Sequence, residues 1–366
     1  MKGMDHAQVR ISILILAAVA VLLIVLFAVG KLFDSEAEES SLPESKPLII
    51  VWELVGSDID YELVGDLGPV QVVAPTWFHL SDSLGNLRSD FDPHYLTWAR
   101  ERGYLVWALV TNSFDPDITA DLLADDQLKR SFAAKLVDLA VEYELDGLNI
   151  DFENFHYQYR DHFTGFIGEL AELCRAENLI LSVDVTMLSG SEYWSMGYDR
   201  AALAAEADYI IVMAYDEHWA SSPVAGSVAS LPWVEAGVQQ LLNEIPPEKL
   251  ILGVPFYTRL WVIDESGAIP EVVNSWSYSM QRAAEIAADN EAEIYFDDQA
   301  GQHVAVYEKE GLVYKMWLED SISMRRRLEL VKEYNLAGLA GWRRGLETPE
   351  IWELMEDYFS CSGSCE

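Results

Sequence analysis

The chain reads as an α/β protein, a (β/α)8 TIM barrel, and three observations lead there. From residue 48 onward eight short apolar runs alternate with segments of helical period, the content of such a barrel in about 300 residues. Nearly every run ends in an aromatic or polar residue, as if all the ends met at one rim. One run, Leu148–Glu153, sets Asn149, Asp151 and Glu153 on one face and Leu148, Ile150 and Phe152 on the other. A doubly wound open sheet is the rival, but no Gly-rich phosphate loop follows the first run.

In chain order, residues 1–10 carry Lys2 and Arg10 ahead of Ile11 to Gly30, a stretch without charge. That length suits one bilayer-spanning helix, longer than the apolar part of a signal peptide, so an uncleaved anchor is expected over a cleaved leader with Ala28 and Gly30 before the cut. Basic residues ahead of it place residues 1–10 in the cytoplasm and all that follows outside. Residues 33–47 are acidic and Ser-rich without hydrophobic period, the composition of a flexible linker.

The barrel domain is expected over residues 48–359. Its eight runs are Leu48–Trp52, Val70–Trp77, Leu105–Thr111, Leu148–Glu153, Ile180–Thr186, Tyr209–Asp216, Leu250–Tyr257 and Gly338–Trp342. Helices are predicted at Pro93–Arg102, stopped by Gly103, and at Trp233–Glu244, stopped before Pro246 and Pro247. Phe132, Leu136, Leu139 and Tyr143 repeat at helical spacing before the fourth run; Phe163, Phe166, Ile167, Leu170 and Leu173 do so after it. A strand between two helices lies in a covered parallel sheet, where two acids on the inner face are costly unless they work. Between the seventh and eighth runs, residues 262–319 form a small α+β insertion: a helix over Met280–Ala288, then a meander of Glu293–Asp297, Gln302–Tyr307 and Leu312–Trp317 turning at Gly301 and Gly311. Ile351–Phe359 is the closing helix, and residues 360–366 form a tail in which Cys361 and Cys365 can close a small disulfide loop. Cys174 is expected to be buried.

Composition excludes some functions. Asp and Glu total 61 against 24 Lys and Arg, a formal charge of −37, so nucleic acid is not an expected partner. No cofactor or metal is expected: the histidines are scattered, His156 and His162 included, and no Gly-x-Ser-x-Gly elbow supports a serine triad. Two carboxylates two residues apart on one strand, by contrast, can hydrogen-bond each other and raise one pKa. An acid protonated near neutrality can deliver a proton to a leaving oxygen, as glycoside hydrolysis requires. Tyr and Trp around a cleft give sugar rings faces to stack on.

Asp146-x-x-Asn149-x-Asp151-x-Glu153 resembles the DxxDxDxE signature of glycoside hydrolase family 18, the chitinase-like barrels. Met213-Ala214-Tyr215-Asp216 is similar to the sixth-strand motif of that family, and Gly341-Trp342 to its eighth-strand tryptophan. The runs Tyr215–Trp219, Val228–Trp233 and Trp317–Asp320 are similar to its spore-germination and cortex-lytic N-acetylglucosaminidase branch. The resemblance implies that Glu153 protonates the glycosidic oxygen and that Asp151 orients the substrate's 2-acetamido group, the nucleophile in this family. It further implies that Tyr215 donates to that group's oxygen and that Trp342 floors the sugar subsite. Asp216, Tyr257, Asn149, Trp77, Asn112 and Met213 complete the expected substrate contacts. The implied partner is an N-acetylated glycan, peptidoglycan rather than chitin, with the membrane as a second partner through the N-terminal helix. Asn149 stands where many relatives carry an acid; an amide there can hydrogen-bond Asp151 but cannot share or accept its proton, which shifts how Asp151 cycles and the pH optimum.

Overall fold

A computed structural model describes residues 46–54 and 67–360. The expected anchor, the first 45 residues and the Cys361/Cys365 pair lie outside the described residues, among which no helix is long and apolar enough to cross a membrane.

The strands are β1 (Leu48–Glu53), β2 (Val72–Leu80), β3 (Leu87–Ser89), β4 (Leu105–Thr111), β5 (Gly147–Asp151), β6 (Ile180–Thr186), β7 (Tyr209–Met213) and β8 (Leu250–Pro255), then β9 (Tyr257–Asp264), β10 (Glu271–Ser279), β11 (Glu293–Asp297), β12 (Gln302–Lys309), β13 (Leu312–Trp317) and β14 (Gly338–Trp342). A nine-stranded sheet runs β1-β14-β8-β7-β6-β5-β4-β2-β3, and β1 also pairs with β2. All of these pairings are parallel except the short β3 on β2, so eight strands close into the expected barrel. Each of the eight runs overlaps one barrel strand.

Two apolar layers result. Inward side chains, among them Ile50, Val72, Ala74, Trp107, Leu109, Ile211 and Ile251, fill the barrel interior. Outward ones meet the helices: Phe152 packs against Phe132, Phe163 and Phe166 with ring centroids 6.4, 5.9 and 5.7 Å away. Burying each such ring contributes roughly 1.5–3 kcal/mol, which fixes the outer face of β5 and thereby turns Asn149 and Asp151 inward. Gly147 lets β5 lie close to β6, because a Cβ there would come within 2.6 Å of the Ile180 carbonyl oxygen.

The predicted helices are found with shifted ends. Pro93–Glu101 is capped by Asp92, and Leu231–Leu241 starts earlier than expected because Pro232 suits a first turn. Pro349–Ser360 closes the chain, and Cys174 is buried.

The insertion is larger than expected. The helix Met280–Asp289 and the three-strand meander are present, but two further strands, β9 and β10, join them in a five-stranded antiparallel sheet, β10-β9-β13-β12-β11. It begins at Tyr257, directly after β8, rather than at Val262. Much of β10 is exposed, so it lacks the buried face that would announce a strand.

Candidate active site

Strand β5 delivers its two inner residues in different ways. Asp151 ends the strand and is buried. Glu153 lies two residues beyond, half-buried, and its backbone is gripped by Asn112: the Glu153 N–H donates to Asn112 Oδ1 at 3.0 Å, and Asn112 Nδ2 donates to the Glu153 carbonyl at 2.6 Å. Asn112 Nδ2 also donates to Thr119 Oγ1 at 2.9 Å, and Tyr198 OH donates to the Phe152 carbonyl at 2.8 Å. The turn that carries the acid is thus clamped from both neighbouring loops.

A cleft of about 560 Å³ opens at this rim, lined by Asp151, Glu153, Asp184, Met213, Tyr215, Asp216 and Trp342, with Trp52 and Leu109 below and Phe114 and Trp194 at the sides. Burial drives its electrostatics. Asp151 is pushed up to about 7 by burial alone. Glu153 rises well above the usual carboxylate range through burial, then through the charges of Asp151, Asp184 and Asp216. Burial, then the charges of Glu153, Asp151 and Asp184, holds the Tyr215 phenol well above its ordinary value, so it stays a hydrogen-bond donor. One oxygen, Asp151 Oδ1, is buried with no hydrogen-bond partner. A protonated acid beside a second carboxylate, in a space walled by aromatic rings, can protonate a leaving oxygen.

Six of the expected site residues, Glu153, Asp151, Tyr215, Asp216, Met213 and Trp342, share this cleft. Tyr257 stands behind it, donating from its OH to Asp216 Oδ1 at 2.6 Å, where Arg259 Nη2 also donates at 3.2 Å. Three expectations are corrected. Trp77 is fully buried on the helix side against Phe91 and Tyr95. A register shift between Thr76 and Phe78 inserts one extra residue opposite β4, so Trp77 and Phe78 both face outward and His79 returns to the cleft. Asn112 is fully buried and holds Glu153 instead of reaching a sugar. Asn149 is also fully buried: its Nδ2 donates to Asp184 Oδ1 at 2.7 Å and Ser182 Oγ at 3.0 Å, and its Oδ1 accepts from Trp52 Nε1 at 2.8 Å. Its amide therefore does not bond Asp151, and among the described residues no hydrogen bond joins Asp151 to Glu153. Asp184 was missed as a site residue, although its place near the end of an apolar run was visible.

Among the described residues no group of three or more His, Cys, Asp or Glu side chains could hold a metal ion. An acid-lined aromatic cleft at the C-terminal rim of a (β/α)8 barrel has the makings of a glycosidase. The sequence model of the glycosyl hydrolases family 18 matches residues 117–347. The chain belongs to this family and is a glycoside hydrolase. YdhD of Bacillus subtilis, provisionally described as a sporulation-specific glycosylase, is 27% identical over 312 residues, 83% of this chain and 73% of that protein. A cortical fragment-lytic enzyme of the same organism is 27% identical over 261 residues, 70% of this chain but only 59% of that enzyme's length. The crystal structure of the spore cortex-lytic enzyme SleL of Bacillus megaterium shares the fold, with a TM-score of 0.77 at 21% identity over 86% of this chain and 74% of that one.

Proposed function

We propose that this enzyme is exported and membrane-tethered and hydrolyses β-linked N-acetylglucosamine polymers, peptidoglycan rather than chitin, with retention and with the substrate's own acetamido group as nucleophile. The observation that carries this reading is that the raised acid Glu153 and Asp151 open on one cleft. Glu153 gives its proton to the glycosidic oxygen and afterwards takes one from water. Asp151 accepts the acetamido N–H and steers its carbonyl oxygen to the anomeric carbon, while the Tyr215 OH donates to that oxygen. Trp342, edge-on to Trp52 at 5.9 Å, offers a ring to the cleaved sugar, and Asp216 is held by Tyr257 and Arg259 to accept from sugar hydroxyls. The wall-glycan preference draws on the relatives described as cortex-lytic and sporulation proteins. The tether rests on the uncharged stretch 11–30.

Glu153→Gln tests the chemistry. Release of reducing ends from purified peptidoglycan and from chitin oligosaccharides is expected to fall by about 10²–10⁴-fold, the share of a general acid, with the melting temperature maintained. Unchanged turnover rejects the assignment. Wild-type protein that binds both glycans and cleaves neither is instead a glycan-binding barrel. For the tether, protease added to intact cells is expected to digest the catalytic domain; protection of that domain counts against export.

A further inference from the structure

The acid absent at position 149 has a counterpart on the neighbouring strand. Strands β5 and β6 pair with Asn149 opposite Ser182 and Ile150 opposite Val183. One step further along the same parallel ladder, Asp184 comes beside Asp151, and alternation puts Ser182 and Asp184 on the inner face with Asn149 and Asp151. Asp184 is only 1% exposed yet lines the cleft. Asn149 has both amide hydrogens engaged, on Ser182 and on Asp184, and so has none for Asp151. The unpartnered Asp151 Oδ1 needs a donor from elsewhere.

The groups around Asp184 decide what it can be. Asp151 and Asn149 face it from β5, Ile211 lies opposite it on β7, and the Trp52 indole bonds into the same network. Glu153, Tyr198 and Tyr215 stand further out in the same field. Among the described residues no Lys or Arg joins this cluster. His79 and Arg88, the basic residues on the cleft wall, bind Asp90, and Arg259 binds Asp216. Two carboxyl groups buried side by side without a cation do not both ionise. Burial raises both acids, but their surroundings differ: Asp184 Oδ1 already accepts from Asn149 Nδ2, which leaves its second oxygen free to carry a proton, whereas Asp151 Oδ1 is the buried oxygen that lacks a donor.

We propose that Asp184 is a positioning residue that keeps its proton throughout turnover, its carboxylic O–H donating to Asp151 Oδ1 so that Asp151 stays ionised and correctly rotated beneath the acetamido group. The role rests on the reading of Asp151 and Glu153 given above. Two protons are then shared among three carboxyl groups. One, on Glu153, goes to the leaving oxygen; the other, on Asp184, stays. Asp151 Oδ2 is left to accept the acetamido N–H.

Three variants of the full chain test this, with reducing-end release from purified peptidoglycan and chitin oligosaccharides followed against pH. Asp184→Asn keeps the size and a donor and cannot ionise; its kcat is expected within about threefold of wild type, with the alkaline limb of the pH profile unchanged or extended. Asp184→Ala removes the donor, and kcat is expected to fall about 10- to 100-fold with little change in KM. The infrared carbonyl band of a protonated carboxylic acid, present in the wild type at neutral pH, is expected to lose intensity in Asp184→Asn. The role is overturned if Asp184→Asn is as impaired as Asp184→Ala, if Asp184→Ala keeps wild-type turnover, or if no protonated acid is lost from the infrared spectrum. Glu153→Gln is the control: if it stays active, the parent reading and this role fall together. An inactive Glu153→Gln beside an unimpaired Asp184→Ala removes the role alone.

Discussion

Replacing Asn112 with alanine distinguishes a residue that holds the acid from one that holds the sugar. Its side chain makes four hydrogen bonds: Oδ1 accepts from the Glu153 N–H (3.0 Å) and the Phe114 N–H (3.3 Å), and Nδ2 donates to the Glu153 carbonyl (2.6 Å) and to Thr119 Oγ1 (2.9 Å). At about 1 kcal/mol net for each bond, less whatever water recovers in the vacated space, the loss is about 3–4 kcal/mol. For a domain of about 300 residues, at about 2.1 cal/mol/K of unfolding entropy per residue, that lowers the melting temperature by roughly 5–6 °C. Releasing the Glu153 backbone also lets its carboxyl drift, and about 1 Å of misplacement costs on the order of 100-fold in rate. KM is expected to stay near wild type, because Asn112 does not line the cleft. Asn112→Asp keeps the acceptor for Glu153 N–H but sets an oxygen against the Glu153 carbonyl, so it rescues little. Thermal melts and steady-state kinetics on one glycan decide the matter. An unaltered melting temperature with raised KM and normal kcat would make Asn112 a sugar ligand and refute the clamp.

Stability is expected to fall as pH rises through the range set by the buried acids. Asp151 binds its proton more tightly folded, at about 7, than unfolded, at about 3.9, so its contribution is complete below about pH 4 and lost as pH climbs through 7. Glu153 and Asp184 act in the same direction, and D151N/E153Q/D184N is expected to flatten the profile of melting temperature against pH; parallel profiles for the two proteins would count against buried protonated acids. Elsewhere, Arg344 Nη1 donates to the buried Glu53 Oε2 at 2.8 Å, where Tyr95 OH also donates at 2.7 Å. Arg344→Met leaves that carboxylate without its cation and is expected to cost about 3–5 kcal/mol in denaturant melts, most of it recovered in E53Q/R344M. Additive losses in the double variant would show that the pair is not coupled.

What the sequence disclosed follows from the range of the forces involved. Parallel strands buried on both faces are written as apolar runs, so all eight could be found, and the strict alternation of β5 identified its acidic face. The bulge at Trp77 carries no mark in the sequence, since one added residue reverses every side chain after it while the apolar run continues. The sequence puts Asn112 just beyond a strand end and Asn149 on the inner face of β5, but period alone does not tell which groups their amides meet. Those partners, Glu153, Trp52 and Asp184, come from other strands or the loops beyond them and become visible only when the barrel closes. Asp184 was overlooked for the same reason: its significance lies in its neighbour across the ladder.

The same closure explains why carboxyl pKa values rise at the centre of a chain with a formal charge of −37. Net surface charge is spread through water and screened within about 10 Å, so it bears weakly on a group under the barrel rim. What governs Glu153, Asp151 and Asp184 is the apolar floor of Trp52 and Leu109 and, among the described residues, the absence of a cation in direct contact with them. A lysine or arginine in the place of Asn149 would satisfy the local charge, but it would also draw the carboxyl pKa values down and leave Glu153 ionised before substrate arrived. An amide at that point joins Asp184 to Ser182 and Trp52 without supplying a charge, so the proton that the reaction consumes stays on the acid that delivers it.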